Sequence, residues 1–120
     1  PPQSTPFKVA FVAHESLPTN SVVGASESTF KLWKVKNVGE QAWPADTALQ
    51  FLSGDRVGQW RVQNVFGDEV PVGAERIVCL QIEAPPVAGD VKGTWALTTA
   101  SGQQFTGDRL TVEFLCTKLD

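Results

Sequence analysis

Apolar and polar residues alternate along most of this chain, and this period of two constrains the fold more than any other feature. The segments 76–82, 91–97 and 110–116 each place apolar side chains at every second position. Successive side chains of a β-strand point to opposite faces of a sheet, so each segment can bury one face. No long window shows the three- and four-residue apolar spacing of a helix. The alternation therefore predicts an all-β protein.

Turn sequences separate the predicted strands, which also include 7–12, 30–38 and 47–52. Short glycine-containing runs such as SGD at 53–55 and AGD at 88–90 follow or precede these segments. About seven short antiparallel strands with turns at this spacing predict an immunoglobulin-like β-sandwich.

One segment conflicts with simple alternation. Phe30 and Leu32 have one parity, whereas Trp33 and Val35 have the other. Two explanations remain open: either a β-bulge shifts the register there, or both faces of the strand are covered.

The length of 120 residues fits one domain with one core. The chain opens with PPQSTP and contains no methionine, so we expect an excerpt of a longer protein. We predict a linker remnant at 1–6, a β-sandwich domain at 7–117 and a tail at 118–120.

Composition excludes several classes of function. The net charge of −3 lacks the basic footprint of a nucleic-acid-binding protein. The apolar runs are far shorter than the ~20 residues that span a bilayer, so membrane insertion is not expected. One histidine and two cysteines are too few for a typical zinc site, and no motif for a cofactor is found. His14 lies beside Glu15, but no glycine-framed nucleophile accompanies it, so we do not expect an enzyme.

Several large apolar residues are expected in the core because they lie on alternating strands or beside a turn that closes the sandwich. Cys79 and Cys116 have opposite strand parities, which makes a disulfide between them the less favoured alternative. The predicted core residues are Trp33, Trp43, Trp95 and Phe114.

A candidate binding site lies in the middle of the chain. Trp60 follows a polar, glycine-punctuated stretch, where an indole ring is available for a partner. Between 37 and 72 there are five acidic residues and two basic ones, so the whole net charge arises here. An acidic, aromatic patch suits a basic segment or a free α-amino group; the alternative is a solvated loop. The predicted cargo-binding residues are Trp60, Asp55, Asp46, Asp68, Glu69 and Phe66.

Three lysines, Lys31, Lys34 and Lys36, fall within one predicted strand. They are expected to lie on an exposed strand face or to protect a sheet edge.

Four stretches carry a resemblance to a known family. They are LWKVKNVG at 32–39, AWPAD at 42–46, GTWAL at 93–97 and GQQFTGD at 102–108. Together they resemble the four-tryptophan (FW) domain of the "next to breast cancer gene one" family of selective autophagy receptors. Trp33, Trp43 and Trp95 match three signature tryptophans, whereas Leu110 occupies the place of the fourth. Trp60 lies outside the signature.

The resemblance implies an immunoglobulin-like sandwich without enzymatic activity that binds cargo for a receptor, whose other domains lie outside this chain. Fungal members are similar to receptors that bring cytosolic hydrolases, notably α-mannosidase, to the vacuole. The implied partner is therefore a protein cargo, through a peptide or N-terminal tail. The implied localisation is cytoplasmic with delivery to the autophagosome and vacuole, and a fungal source is expected.

Three other functions remain open. A carbohydrate-binding module would use Trp43 and Trp60 as aromatic platforms, and would be secreted with Cys79 and Cys116 bridged. A structural spacer would have no specific partner. A small hydrolase would have to be built around His14.

Overall fold

The computed structural model describes residues 7–16 and 21–117, which form two packed β-sheets. One sheet has the strand order β6-β3-β1-β8 and the other β2-β9-β7-β4-β5. This confirms the predicted all-β sandwich. The strands are β1 (Lys8–His14), β2 (Ser21–Gly24), β3 (Ser28–Asn37), β4 (Ala48–Gly54), β5 (Arg61–Val62), β6 (Glu75–Glu83), β7 (Gly89–Thr98), β8 (Thr106–Gly107) and β9 (Leu110–Thr117).

The number of strands differs from the prediction: the described residues form nine instead of about seven. Six of the nine match the segments named from the sequence, and the other three, β2, β5 and β8, have two to four residues each and are too short to show alternation. Two edge pairs, β1–β8 and β2–β9, are parallel, whereas the sequence predicted an antiparallel sandwich throughout. Strand direction at an edge depends on where a long connection returns, and residue pattern does not encode this.

The parity conflict near Trp33 has a simple resolution. Strand β3 pairs with β6 without interruption, so the bulge that was one of the two open explanations is absent from β3. The odd-numbered residues face the core, and Phe30 is 54% exposed on the outer face. The register shifts lie elsewhere, in β1 between Phe11 and Ala13 and in β4 between Phe51 and Ser53.

The core is built around buried indole rings. Trp33 of one sheet and Trp95 of the other lie with ring centroids 6.5 Å apart. The Trp33 indole N–H also crosses the interface and donates to the Thr111 carbonyl oxygen at 2.8 Å. Trp43 closes one end of the sandwich against Phe105, with ring centroids 5.3 Å apart. Trp33, Trp43, Trp95 and Phe114 are all buried.

Asn37 fixes the chain that leads from β3 to Trp43. Its buried side-chain amide donates to the carbonyl oxygens of Gln41 and Val70 at 3.0 and 2.9 Å, and its carbonyl oxygen accepts from the Gly39 N–H. A buried amide with three hydrogen bonds holds a turn in one conformation. The Asn-x-Gly sequence of the resembled motif therefore has a structural role.

Gly93 is predicted to be irreplaceable for steric reasons. A Cβ at this position would lie 2.6 Å from Cζ3 of Trp95 and would also collide with the Asp55 carbonyl oxygen. We expect Gly93→Ala to lower the free energy of unfolding by about 2 kcal/mol or more, because a packed core resists added volume. Urea denaturation measures this value.

Gly102→Ala is the matched control. Gly102 has φ of +100° and open space around its Cα, so the substitution adds backbone strain without a clash. We expect it to cost about 1 kcal/mol. If Gly93→Ala lowers the free energy of unfolding by no more than Gly102→Ala does, then Gly93 is not packed as closely against the Trp95 ring as described.

Candidate functional site

Trp60 immediately precedes the edge strand β5 and is 60% exposed. One edge of its ring contacts Phe51, with centroids 5.2 Å apart, and Phe51 in turn contacts the buried Trp95 at 5.0 Å. The Arg56 guanidinium lies over the ring, 4.6 Å from its centroid. The indole is therefore accessible to a partner, while the Phe51 ring and the Arg56 guanidinium fix its orientation.

Gly54 and Asp55 place the loop that carries Arg56 and Trp60. Gly54 ends β4 with φ of +89°, a conformation that other residues adopt only with strain. The Asp55 N–H donates to the Lys92 carbonyl oxygen at 2.7 Å, and its carboxylate accepts from the Lys92 N–H at 3.0 Å. Asp55 was predicted as a ligand for cargo, and the structure uses one of its carboxylate oxygens to hold the loop against β7.

The other predicted site residues lie at the end of the sandwich that Trp43 closes. Phe66 stacks on Trp43, with centroids 5.8 Å apart and planes inclined by 23°. The Asp68 carboxylate accepts a hydrogen bond from Arg76 at 3.5 Å. Asp46 and Glu69 are exposed and have no ion-pair or hydrogen-bond partner within the described part of the chain.

The predicted residues thus form two groups instead of one patch. Asp55 follows β4 and Asp46 precedes it, and seven residues of strand at about 3.3 Å each separate them by roughly 20 Å. Trp60 lies beside Phe51 on the loop that Asp55 holds, and Trp60 and Asp55 form the first group. The Trp43–Val70 bridge joins the two loops that carry Asp46 and Glu69.

Lys31 corrects the interpretation of the three lysines. Its side chain is completely buried, because Lys31 shares the inward parity of Trp33 and Val35. Its ammonium nitrogen lies 2.7 Å from Nδ1 of His14 and donates to the Ser16 carbonyl oxygen at 2.8 Å. Lys34 is on the outer face and forms an ion pair with Glu75 at 3.5 Å. The shared parity was the signal that could have identified Lys31.

Burial perturbs both members of this pair. It lowers the pKa of Lys31 to about 8, from an ordinary value of 10.5. The pKa of His14 is also lowered, first by burial and then by the positive charge of Lys31. Near neutral pH, a neutral His14 therefore accepts a hydrogen bond from the charged Lys31 ammonium group.

A hydrolytic role for His14 has no support in these contacts. The Ser16 hydroxyl beside it donates to the Phe30 carbonyl oxygen and accepts from the Leu32 N–H. No group of three histidine, cysteine or acidic residues that could hold a metal ion occurs among residues 7–16 and 21–117. Within the same residues, no helix has the length and hydrophobicity needed to cross a membrane.

The cysteines and Trp43 bear on the carbohydrate-binding alternative. Both cysteines are free: Cys79 is exposed, whereas Cys116 is buried with its sulfur 3.4 Å from the Pro85 carbonyl oxygen. The disulfide expected for that alternative is therefore not formed. Trp43 is fully buried, so its predicted use as a sugar platform is wrong.

Comparison with known proteins gives a consistent result. Residues 16–114 match the family described as the Ig-like domain from next to BRCA1 gene. The chain is 31% identical over 104 residues to Protein NBR1 homolog of Arabidopsis thaliana, which covers 85% of this chain and 15% of the relative. It is 29% identical over 101 residues to Next to BRCA1 gene 1 protein of Homo sapiens, which covers 83% of this chain and 10% of the relative. It is 33% identical over 84 residues to Protein JOKA2 of Solanum tuberosum, and this match covers 68% of this chain and 10% of the relative.

The chain thus spans a tenth to a seventh of the length of these relatives. Among solved structures, the CARDB domain of PF1109 from Pyrococcus furiosus superposes with a TM-score of 0.56 at 13% identity, covering 95% of this chain and 92% of that one. At such low identity the likeness concerns the fold alone.

The Lys31–His14 pair predicts that stability rises with pH. Between pH 8 and 10.5 the unfolded chain binds more protons at Lys31 than the folded chain, so raising the pH favours folding. Below pH 6.5 the unfolded chain binds more protons at His14, so acid disfavours folding. Urea denaturation between pH 5 and 10 measures the free energy of unfolding in both the acid and the alkaline range.

Lys31→Met is the matched variant for this test. It keeps the two cysteines and the other lysines, and it should flatten the alkaline rise. An alkaline rise of the same size in the variant would show that Lys31 is not its source.

The thiols provide a second prediction. Cys79 should react with a chromogenic disulfide reagent in the native chain, and Cys116 only after unfolding, because burial shields its sulfur. Thiol counting in buffer and in urea should give one and two groups. A count of zero in both would indicate a disulfide and contradict the structure.

Proposed function

Since the chain belongs to the family of Ig-like domains from next to BRCA1 gene, we propose that it is a non-catalytic cargo-binding module of a selective autophagy receptor. The family match over residues 16–114 is the observation that carries this proposal. The module would bind a protein in the cytoplasm and accompany it to the autophagosome and the vacuole or lysosome. The matched relatives come from plants and animals, so a fungal source remains a prediction.

Trp60 is the proposed anchor for the cargo. It offers a large apolar ring, and its indole N–H has no acceptor among the residues that the structure describes. Tryptophan is over-represented among residues that dominate binding energy, since it combines apolar area with a hydrogen-bond donor. Because Phe51 and Arg56 already fix the ring, a partner would lose little free energy in ordering it.

The carboxylates of the Trp43 end would supply the charge. Asp46 and Glu69 are exposed and have no partner among residues 7–16 and 21–117, and Asp68 adds a third carboxylate that Arg76 partly neutralises. These groups suit a cationic segment or a free α-amino group. Asp55 and Phe66 would act by positioning, since one holds the loop of Trp60 and the other packs on Trp43.

The spacing of the two groups sets the size of the ligand. Trp60 lies beside Phe51, and Asp46 precedes β4, so roughly 15 Å separates them along the strand. An extended tail needs about five residues to reach both. We therefore propose that the cargo presents a flexible N-terminal tail of at least this length, as a vacuolar hydrolase such as an α-mannosidase would.

Trp60→Ala tests this site. We expect it to weaken cargo binding by about 2 kcal/mol or more, because the variant lacks the ring that the cargo would cover. The measurement is calorimetric titration with a cargo recovered by pull-down on the isolated chain. In the same assay, Asp46→Asn with Glu69→Gln should weaken binding and reduce its dependence on salt.

Val87→Ala is the control, since Val87 is 69% exposed outside both groups. The melting temperature of each variant shows whether the fold is kept. Unchanged affinity for Trp60→Ala would remove Trp60 from the site. Failure to recover any specific partner would favour the structural-spacer alternative instead.

A further inference from the structure

Strand β6 is the longest edge of the sandwich. The other edge strands are β2, β5 and β8, with four, two and two residues, whereas β6 has nine. It pairs with β3 on one side only. A strand edge with unpaired N–H and C=O groups can add another strand.

The hydrogen bonds at the ends of β6 show which of its groups point away from β3. On the β3 side, the Ala74 carbonyl oxygen accepts from Asn37, and the Ala84 N–H donates to Glu27. On the opposite side, the Glu83 N–H donates to the Val57 carbonyl oxygen at 2.7 Å. Backbone groups alternate along a strand. The N–H and C=O groups of Ile77 and Cys79, which share the parity of Glu83, therefore point outward.

This open edge is short because both of its ends are closed. At one end Val57 covers Glu83, and Gly58 lies against the Gln81 carbonyl oxygen. At the other end the Arg76 guanidinium donates to the Glu75 carbonyl oxygen at 2.9 Å. Between them, the backbone groups of Ile77 and Cys79 have no hydrogen-bond partner within the described part of the chain.

The outer face beside the open edge is apolar. Ile77 is 43% exposed there, next to the exposed Cys79. On β3, Leu32 pairs with Cys79. Phe30, which is exposed, lies two residues before Leu32 on the same face. An added strand would place every second side chain against this apolar surface.

A polar pocket of about 350 Å³ lies at the closed end near Val57. Arg56 and Gln59 line it from the loop, and Gln81 and Glu83 line it from β6. Such a pocket suits a polar residue or chain end of a bound segment.

We propose that the Ile77–Cys79 edge binds a short extended segment of a partner protein by strand addition. The segment has apolar residues at alternate positions, which face Ile77 and Cys79, and a polar residue toward the Arg56 pocket. This inference goes beyond the cargo site proposed above, because it needs neither Trp60 nor the carboxylates of the Trp43 end.

The length of the edge favours a peptide over a second copy of this chain. Stable interfaces between folded domains bury at least about 1,200 Å², which two or three strand residues cannot supply. Two copies paired here would also bring their 56–59 loops and Arg76 side chains toward the same edge. A single extended segment is as narrow as a strand and avoids both problems.

The test uses a synthetic peptide, acetyl-Thr-Val-Thr-Val-Thr-amide, titrated into isotope-labelled chain and followed by NMR. The amide signals of Ile77 and Cys79 should shift most. Cys79→Pro removes one outward N–H and leaves the ladder with β3 intact, because the Cys79 N–H does not face β3; proline is tolerated at such positions. Cys79→Ala keeps the N–H. Because Cys79→Ala alters the same side chain but not the N–H, we expect binding to be at least about tenfold weaker for Cys79→Pro than for Cys79→Ala.

A peptide with an N-methyl group on its second valine tests the same contact on the unaltered chain, even where Cys79→Pro fails to fold, because in an antiparallel addition the valines opposite Ile77 and Cys79 are the residues whose N–H groups point to the edge. It should bind about tenfold more weakly than the parent peptide, since it lacks one backbone donor. Equal affinity for the two peptides, or shifts centred on other residues, would overturn the proposal. Shifts of Ile77 and Cys79 with protein concentration alone would point to a second copy and would also overturn it.

Discussion

The contact between Trp33 and Trp95 is the interaction on which the rest of the structure depends. One ring comes from each sheet, and the Trp33 N–H also bonds to the backbone of β9, so this pair fixes both the separation and the alignment of the sheets. Each buried indole removes roughly 150–250 Å² of surface from water. Gly93 is required beside Trp95 because no larger residue fits between that ring and the loop at Asp55.

The surface features extend outward from this contact. Phe51 links Trp95 to Trp60, so the exposed indole is the outermost ring of a continuous aromatic series. The Trp95 indole N–H donates to the Gln59 carbonyl oxygen at 3.3 Å, which ties the same loop to the core. That loop then reaches the other sheet at Val57 and limits the open edge of β6. A rigid core thus positions two separate surfaces, one aromatic and acidic and one made of strand backbone.

The pair Lys31 and His14 includes a buried charge, which is a locally unfavourable feature of the core. A buried ammonium group is unfavourable unless hydrogen bonds compensate for lost hydration. Here His14 and Ser16 supply them and attach the end of β1 to β3. The same segment is held by the Ser16 hydroxyl, which bonds to the backbone of β3 on either side of Lys31. The pair therefore joins two strands at a point where β1 is leaving the sheet.

The sequence by itself determined the fold class and the buried tryptophans, because alternation and large apolar rings are local properties that dictate which face is buried. It also singled out Trp60 as a candidate surface residue. Only the tertiary structure decided that Asp55 and Asp46 lie at opposite ends of β4, that Lys31 bonds to His14, and that Ile77 and Cys79 lie on an edge strand. These facts depend on which strands become neighbours and which become edges. That is set by long-range packing, and a pattern of period two carries no record of it.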